Sequence, residues 1–253
     1  MILPRKVDIK SLKNIEGFSS EIQLALIDLI CRYKNPNNVL EIGTWHGRTS
    51  VILAAYVNKK NGNYYGIEPH EKRADITLEN CKNVCSPDVL HIDKNVSFYS
   101  EMLRKMLYLD IVHIDGEHSF SAVYNDLSVV SKIMQRDGII ILDDFFFDMY
   151  PQITQATYKW LDDNPDYVLL ATGVLKGFIC NKMYYKKYAD FLLSPEFIHE
   201  LKLYNPSEYP YISITRTSPL IDCQTLGISL NISEKNLIGN ECEDGRMEKI
   251  MCS

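Results

Sequence analysis

The chain has 253 residues, of which 46% are hydrophobic and 24% charged, a composition typical of a globular protein large enough for one substantial core. No stretch approaches the roughly 18 consecutive apolar residues of a membrane span, and the N-terminal sequence MILPRKVDIKSLKN lacks the continuous apolar run of a signal peptide, so we expect a cytoplasmic protein. A formal charge of −6 disfavours nucleic acid as a partner, because a phosphate backbone selects basic surfaces.

Short apolar runs alternate with stretches of helical spacing over most of the chain. A helix over residues 20–33 comes first. The predicted strands are then 39–42, 64–67, 89–92, 110–114 and 139–142, and the predicted helices between them are 49–58, 73–85, 96–107 and 121–135. This alternation implies right-handed crossovers and an α/β fold, a doubly wound sheet of five parallel strands with helices on both faces.

The pattern changes after residue 144. A helix over 153–162 leads to two runs, 167–172 and 177–181, which are close enough in sequence to pair antiparallel. A helix near 188–203 and irregular structure beyond it are expected next. We therefore divide the chain into an N-terminal helical segment (1–34), a core (35–182) and a C-terminal extension (183–253), which would contact an acceptor or another subunit and end in a loosely ordered tail.

The stretch VLEIGTWHGRTS (residues 39–50) is typical of a strand, a glycine turn and a helix start. Ligands of open parallel sheets bind beyond the carboxyl ends of the strands, so the turn is a candidate binding site. Gly43 and Gly47 carry no Cβ and allow the backbone to approach a ligand closely. Thr49 or Ser50 can cap the following helix. A tight turn without a ligand is the alternative interpretation.

Two acids accompany this turn. The pattern Glu41-x-Gly43-x-x-x-Gly47 differs from the pyrophosphate fingerprint GxGxxG, which disfavours a nicotinamide-dependent oxidoreductase. A carboxylate at Glu41 suits a cationic ligand group better than a phosphate. Glu68 ends the second strand in YYGIEPH, where a carboxylate can hold the two ribose hydroxyls of a nucleoside. Together the two acids indicate a ligand that consists of an adenosine and a positively charged group.

VLEIGTWHGRTS resembles motif I of the class I S-adenosylmethionine-dependent methyltransferases, and YYGIEPH resembles their acidic motif II. The likeness covers roughly residues 35–182 and implies the Rossmann-like fold of that family, with an antiparallel pair after five parallel strands. It also implies S-adenosylmethionine as the cofactor. The residues implied for its binding are Glu41, Gly43, Thr44 and Gly47 at the methionine end, Glu68 at the ribose, Asn95 at the adenine, and Thr49 and Asp115 at the border of the same opening.

Three acids are predicted at the tips of neighbouring strands. Asp115 ends the fourth strand in DIVHIDGEHSF, and Asp143 and Asp144 end the fifth in IIILDDFFF. Carboxylates that meet at one sheet edge raise one another's pKa unless a cation lies between them. Oxygen ligands on strand tips fit Mg²⁺ or another divalent cation. Helix capping at an exposed rim is the alternative for Asp143 and Asp144.

His118, three residues after Asp115, is the candidate general base, because a neutral imidazole has a pKa near the working pH. The other histidines are expected to be packed or surface residues, and two of them, on ligand-side loops, could also contact the cofactor. They are His46 and His70 on those loops, His91, His199, and His113, which is expected in the core.

The string DGEHSF-x-x-V-x-x-D, with a later GIIILDDF, is similar to the metal-dependent sugar O-methyltransferases of macrolide and glycan decoration. In that family acids at these positions hold Mg²⁺, and in some members a histidine at the place of His118 is the base. The resemblance implies methylation of a sugar hydroxyl on a glycan or small molecule with adjacent hydroxyls. A catechol offers the same vicinal diol, and a non-catalytic binding subunit with this fold is a further alternative.

Aromatic residues and cysteines complete the list of candidates. Phe145, Phe146, Phe147, Tyr150 and the tyrosines of YNPSEYPY (204–211) suit a stacking wall for a sugar ring, core packing or a subunit interface, so a homo-oligomer is one of the expected states. The cysteines form no CxxC pair and are expected to be reduced thiols that pack as small hydrophobic side chains.

Overall fold

The computed structural model describes residues 2–57, 62–93, 108–204, 207, 211–221, 223–231 and 249–250. Within them one ten-stranded sheet carries helices on both faces. The strands are β1 Asn38–Ile42, β2 Asn63–Ile67, β3 Leu90–Asp93, β4 Leu109–Ile114, β5 Met134–Leu142, β6 Tyr167–Gly173, β7 Lys176–Asn181, β8 Tyr211–Ile221, β9 Cys223–Asn231 and β10 Lys249–Ile250. The helices are α1 Glu21–Lys34, α2 Arg48–Val57, α3 Glu71–Cys81, α4 Phe120–Val130, α5 Pro151–Asp163, α6 Tyr185–Leu192 and α7 Pro195–Lys202.

The predicted parallel core is confirmed. The strands lie in the order β3-β2-β1-β4-β5 and pair in parallel, and β7 and then β6 continue the sheet antiparallel. Successive side chains of β5 alternate between the two hydrophobic layers, with Ile139 and Ile141 in one and Ile140 and Leu142 in the other. The uninterrupted apolar run of this strand is thus explained by burial on both faces.

The structure corrects the expected bounds of several elements. The helix expected over 121–135 ends at Val130, and β5 already begins at Met134, because Met134 pairs with Leu109 of β4 ahead of a bulge. The single helix expected over 188–203 is two helices, α6 and α7. Ser194 separates them and caps α7 by accepting a hydrogen bond from the backbone N–H of Phe197 (3.2 Å).

The expectation of irregular structure beyond residue 203 is wrong. β8 and β9 form an antiparallel pair, and β9 joins β6 in parallel through the pairs Ala171 with Leu226 and Thr172 with Gly227. Ile212, Ile214, Leu226 and Ile228 are buried in the same layer as α1. The division of the chain at residues 34 and 182 stays a prediction. None of the described helices is both long and apolar enough to cross a membrane.

Candidate active site

A cavity of about 960 Å³ opens at the carboxyl ends of β1, β2, β4 and β5, where the fold predicts a ligand site. It is lined by the predicted residues Glu41, Gly43, Thr44, Thr49, Glu68, Asp115, His118, Asp143 and Asp144. Gly47 is not among its described lining residues. Asn95 and the helix expected over 96–107 lie outside the residues that the structure describes.

The two glycines of the turn make room for protein atoms. Gly43 has φ +82°, and a Cβ there would lie 2.0 Å from the carbonyl oxygen of Asp115. Gly47 has φ +85°, and a Cβ there would lie 3.0 Å from a methyl group of Thr77 in α3. Left-handed backbone of this kind favours glycine. The glycines therefore let β1 and α2 approach β4 and α3, and Gly43 thereby places the Asp115 backbone.

Glu41 lies beneath the turn and is almost fully buried. Its carboxylate accepts hydrogen bonds from the hydroxyls of Ser50 and Tyr64, and Nδ1 of His113 is 3.1 Å from its other oxygen. Burial lowers the pKa of His113, but the hydrogen bond and charge of Glu41 outweigh this effect and raise it. Three protein groups thus already satisfy the acid that was expected to face a cationic ligand, although it still borders the cavity.

Glu68 borders the cavity at the tip of β2. One carboxylate oxygen accepts the backbone N–H of Trp45 (3.0 Å) and the other accepts that of His70 (2.9 Å). These bonds hold the buried carboxylate in one orientation while leaving lone pairs on each oxygen. Thr44 is fixed by a 3.0 Å contact between its hydroxyl and that of Thr77.

Residues 16–19, which precede α1, also line the cavity, and the sequence analysis did not predict this. Arg48 donates to the backbone carbonyls of Ile15 (2.7 Å) and Ser19 (3.0 Å) and so ties the segment to the start of α2. Phe18, 92% exposed, lies with its ring 6.1 Å from that of Trp45, and the Arg73 guanidinium lies 3.6 Å from the centre of the Trp45 ring. The sequence feature that could have indicated this contact is Arg48, which directly follows the second glycine of the turn.

His118, Asp115 and Asp144 form a half-buried group on the opposite side. Nε2 of His118 is 3.8 Å from an oxygen of Asp115 and 3.7 Å from one of Asp144, and its ring lies 4.1 Å from that of Tyr150. The nearby Asp115 carboxylate raises the pKa of His118, against the lowering effect of burial. Burial and the charge of Asp143 raise the pKa of Asp115 to about 7, and they also raise that of Asp144.

Asp143 has a different environment from the other two acids. Its Oδ1 contacts Nζ of Lys176, which is fully buried, and accepts the backbone N–H of Asp144 (2.8 Å). Nε2 of His113 is 3.8 Å from its Oδ2. Burial would raise the pKa of Asp143, but Lys176 and His113 lower it to about 2. A protein cation therefore compensates the acid that follows the buried strand.

The three predicted acids thus lie at one edge of the sheet but do not form a single set of possible ion ligands. Among the described residues, two sets have ligand atoms within 4.8 Å of one another: His113, Asp115 and Asp143 form one, and Asp115, His118 and Asp144 form the other. Lys176 was missed by sequence reasoning. Its signal was a single lysine at the start of an otherwise apolar strand, in VLKGFIC.

The aromatic candidates fall into three environments. Phe147 and Tyr150 line the cavity, Phe145 is buried in the core, and Phe146 is 54% exposed. Of the stretch YNPSEYPY, Tyr204 is buried beneath the guanidinium of Arg5, 4.6 Å from its ring centre. Cys31, Cys81, Cys85 and Cys180 are buried thiols that take part in no disulfide, as expected.

The sequence matches known proteins over its central part. Residues 40–145 match the model of a family described as a methyltransferase domain. An uncharacterized protein of Acanthamoeba polyphaga mimivirus is 30% identical over 140 residues, which cover 51% of this chain. The match spans 62% of the length of that relative.

Solved structures resemble the chain over a larger part. The O-methyltransferase from Bacillus cereus, solved in complex with SAH, superposes with a TM-score of 0.55 and 20% identity, covering 70% of this chain and 90% of that one. A putative caffeoyl-CoA O-methyltransferase from Staphylococcus aureus gives 0.53 and 17%, covering 69% and 91%. At these identities the likeness shows the fold, and the chain has the α/β Rossmann-like methyltransferase fold.

Proposed function

We propose that this chain is an S-adenosylmethionine-dependent O-methyltransferase whose acceptor carries two adjacent hydroxyl groups, as a sugar does. One observation carries the proposal. A single cavity joins the carboxylate of Glu68, at a nucleoside-binding position, to an imidazole between two carboxylates, His118 with Asp115 and Asp144. The methyltransferase domain match over residues 40–145 supports the enzyme class, and so do neighbours with this fold that are O-methyltransferases.

The cofactor end is proposed at the tips of β1 and β2. Glu68 would accept the ribose hydroxyls, since the backbone N–H groups of Trp45 and His70 hold its oxygens in place. Gly43, Thr44 and Thr49 would border the methionine part, and Asn95 stays a predicted adenine contact. Bound there, S-adenosylmethionine would supply an electrophilic methyl group.

The acceptor end is proposed at His118. In the reaction the hydroxyl oxygen forms a bond to the methyl carbon as the carbon–sulfur bond breaks and its electron pair returns to sulfur. The proton of the hydroxyl passes to Nε2 of His118, which faces the space between Asp115 and Asp144. The negative charges of the two carboxylates would stabilise the protonated form of the imidazole. Alignment of the reactants would contribute up to about 7–11 kcal/mol.

A divalent cation fits the same group. Asp115 and Asp144 offer hard oxygen ligands within 4.8 Å of one another and of Nε2 of His118, and such ligands suit Mg²⁺. Asp143, the third ligand predicted from the sequence, contacts the ammonium group of Lys176 instead. The ion, when bound, would supply positive charge that orients two neighbouring hydroxyls and lowers the pKa of the nucleophile.

The charge of the cavity supports an uncharged or cationic acceptor. Its described lining contains eight acidic residues and two arginines. Arg48 is engaged with backbone carbonyls and Arg73 with the ring of Trp45. Phosphate groups would meet mainly negative charge there, so free or glycan-linked sugars are favoured over nucleotide-linked ones. Phe147 and Tyr150 would stack on a sugar ring or on a catechol, which is the second candidate acceptor.

Calorimetric titration with S-adenosylhomocysteine tests the cofactor site. Wild type should bind at one saturable site, and Glu68→Gln should bind about tenfold more weakly or worse, because a hydrogen bond to a charged group contributes roughly 1.5–3 kcal/mol. Glu79→Gln is the matched control, since Glu79 lies in α3 with its side chain 74% exposed.

Absence of both heat and a thermal shift in wild type would count against the enzyme. A ligand at about 100 times its dissociation constant should add roughly 2.7 kcal/mol to stability. That result would favour the non-catalytic subunit. With binding established, labelled S-adenosylmethionine and a panel of free sugars, catechols and nucleotide-linked sugars would identify the acceptor. We expect methylation of uncharged diols.

A further inference from the structure

Lys176 is a fully buried cation at the edge of the candidate active site. Its Nζ contacts Oδ1 of Asp143 and makes no hydrogen bond with another described side chain or carbonyl. The backbone N–H of Asp144 occupies the same carboxylate oxygen, and Nε2 of His113 lies 3.8 Å from the other one. Two donors thus occupy Oδ1 of Asp143, and Oδ2 faces the imidazole of His113.

The β6–β7 turn holds this lysine in place at a cost in backbone strain. Val174 and Leu175 at the centre of the turn have φ +47° and +61°, which is rare for residues with bulky side chains. Three contacts stabilise the turn: Gly173 pairs with Lys176, Gln23 donates to the carbonyl of Val174 (3.0 Å), and the backbone N–H of Phe145 donates to that of Leu175 (3.0 Å). Lys176 is therefore anchored beneath Asp143 rather than mobile.

We propose that Lys176 is the resident cation of this site, which keeps Asp143 out of the coordination shell of a divalent ion and limits the protein ligands of that ion to the carboxylates of Asp115 and Asp144. This inference rests on the proposed function only in assuming that a bound ion takes part in the methyl transfer. When Asp115, Asp143 and Asp144 are all ionised, their three negative charges and the one positive charge of Lys176 leave a formal charge of −2, which a single divalent ion neutralises. Without Lys176, Asp143 becomes available to the ion and the repulsion from the ammonium group disappears.

Binding of Mn²⁺, followed by the loss of the free-ion EPR signal, tests this role without any activity measurement. Lys176→Met should bind Mn²⁺ about tenfold more tightly than wild type, or more, because it gains a carboxylate ligand and loses a nearby positive charge. The double variant Lys176→Met with Asp143→Asn carries the same net charge as wild type and should bind Mn²⁺ with wild-type affinity.

The control variant is Lys186→Met. It makes the same change of charge at a side chain that is 85% exposed and pairs with Asp190 in α6, so Mn²⁺ affinity should not change. Thermal unfolding of each variant confirms that it folds. If Lys176→Met does not fold, the double variant retains the test, because a buried ion pair is often replaced by neutral residues without loss of stability.

Two results would overturn the proposal. One is a folded Lys176→Met that binds Mn²⁺ no more tightly than wild type, including the case in which neither protein binds it. The other is a double variant that binds far more weakly than wild type, since Asp143 would then already be a ligand. Titration of the same proteins with S-adenosylhomocysteine separates these outcomes from a failure of the proposed function. If the proposed function is wrong, S-adenosylhomocysteine does not bind, but the comparison of Mn²⁺ affinities is unaffected.

Discussion

Replacement of Gly43 by alanine would test how the glycine turn of β1 places Asp115 at the candidate active site. A Cβ at residue 43 would lie 2.0 Å from the carbonyl oxygen of Asp115, 2.6 Å from its carbonyl carbon and 3.0 Å from Cα of Gly116. Each of these atoms belongs to the backbone, so no side-chain rotation relieves the contact. The chain must move by roughly 1 Å to restore an acceptable separation.

The expected loss of stability has two sources. Alanine in a left-handed conformation costs about 1–2 kcal/mol, and φ at residue 43 is +82°. Forced separation of packed groups costs a further ~1–3 kcal/mol. It also strains the hydrogen bonds from Gly43 N–H to the carbonyl of Ile67 and from Asp115 N–H to that of Ile42, both 2.8 Å. We therefore expect Gly43→Ala to lower the free energy of unfolding by about 2–5 kcal/mol.

Urea unfolding followed by circular dichroism measures this loss. Gly17→Ala is the matched control, because a Cβ there would lie 3.4 Å from the flexible side chain of Arg48 and φ is outside the left-handed region. That variant should stay within about 0.5 kcal/mol of wild type. A Gly43→Ala protein as stable as the Gly17→Ala control would refute the argument that the close approach of β1 to Asp115 requires glycine.

Three further predictions concern the charged groups. His118→Gln should lower kcat by roughly 10²–10⁴-fold. Because the imidazole is a base only when neutral, and Asp115 raises its pKa, wild-type activity should fall as the pH drops through that raised pKa. A variant whose activity has the same pH profile as wild type would exclude His118 as the base. Asp143→Asn leaves the buried ammonium of Lys176 without its partner and should lower the free energy of unfolding by about 3–5 kcal/mol; an unchanged urea midpoint would contradict the importance of this pair. Asp144→Asn should abolish the EDTA-sensitive part of turnover and leave S-adenosylhomocysteine affinity unaltered; if EDTA lowers turnover equally in the variant and in wild type, Asp144 is not an ion ligand.

The parallel core could be predicted from the sequence because its signals are local. Each of the five parallel strands overlaps its predicted run, and the antiparallel pair of β6 and β7 has the expected partners. A short apolar run, or a helical spacing of apolar residues, depends only on neighbours along the chain, so it can be recognised without knowledge of the fold. The early start of β5 does not follow from such signals, because its exposed residues Gln135 and Arg136 belong to a strand only through the pairing of Met134 with Leu109.

The strands of the C-terminal part were within reach of the same method. Ile212 and Ile214 in β8, and Leu226 and Ile228 in β9, are two residues apart and buried, which is the period of a strand. The tyrosine- and proline-rich stretch before them concealed that pattern. The parallel pairing of β9 with β6 joins segments more than 50 residues apart, and no local signal in either segment indicates it.

By itself, the sequence determined which chemical groups gather at the carboxyl edge, because the ends of parallel strands share one edge whatever the packing around them. It therefore identified Glu68, Asp115, His118 and Asp144 as lining residues. Only the tertiary structure decided how the charge of Asp143 is balanced. Lys176 lies 33 positions away in sequence, and it reaches that carboxylate because β7 pairs antiparallel with β5 and a strained turn holds the lysine beneath the strand tip. Periodicity shows whether a side chain faces the core, but a buried ion pair depends on the meeting of two distant segments.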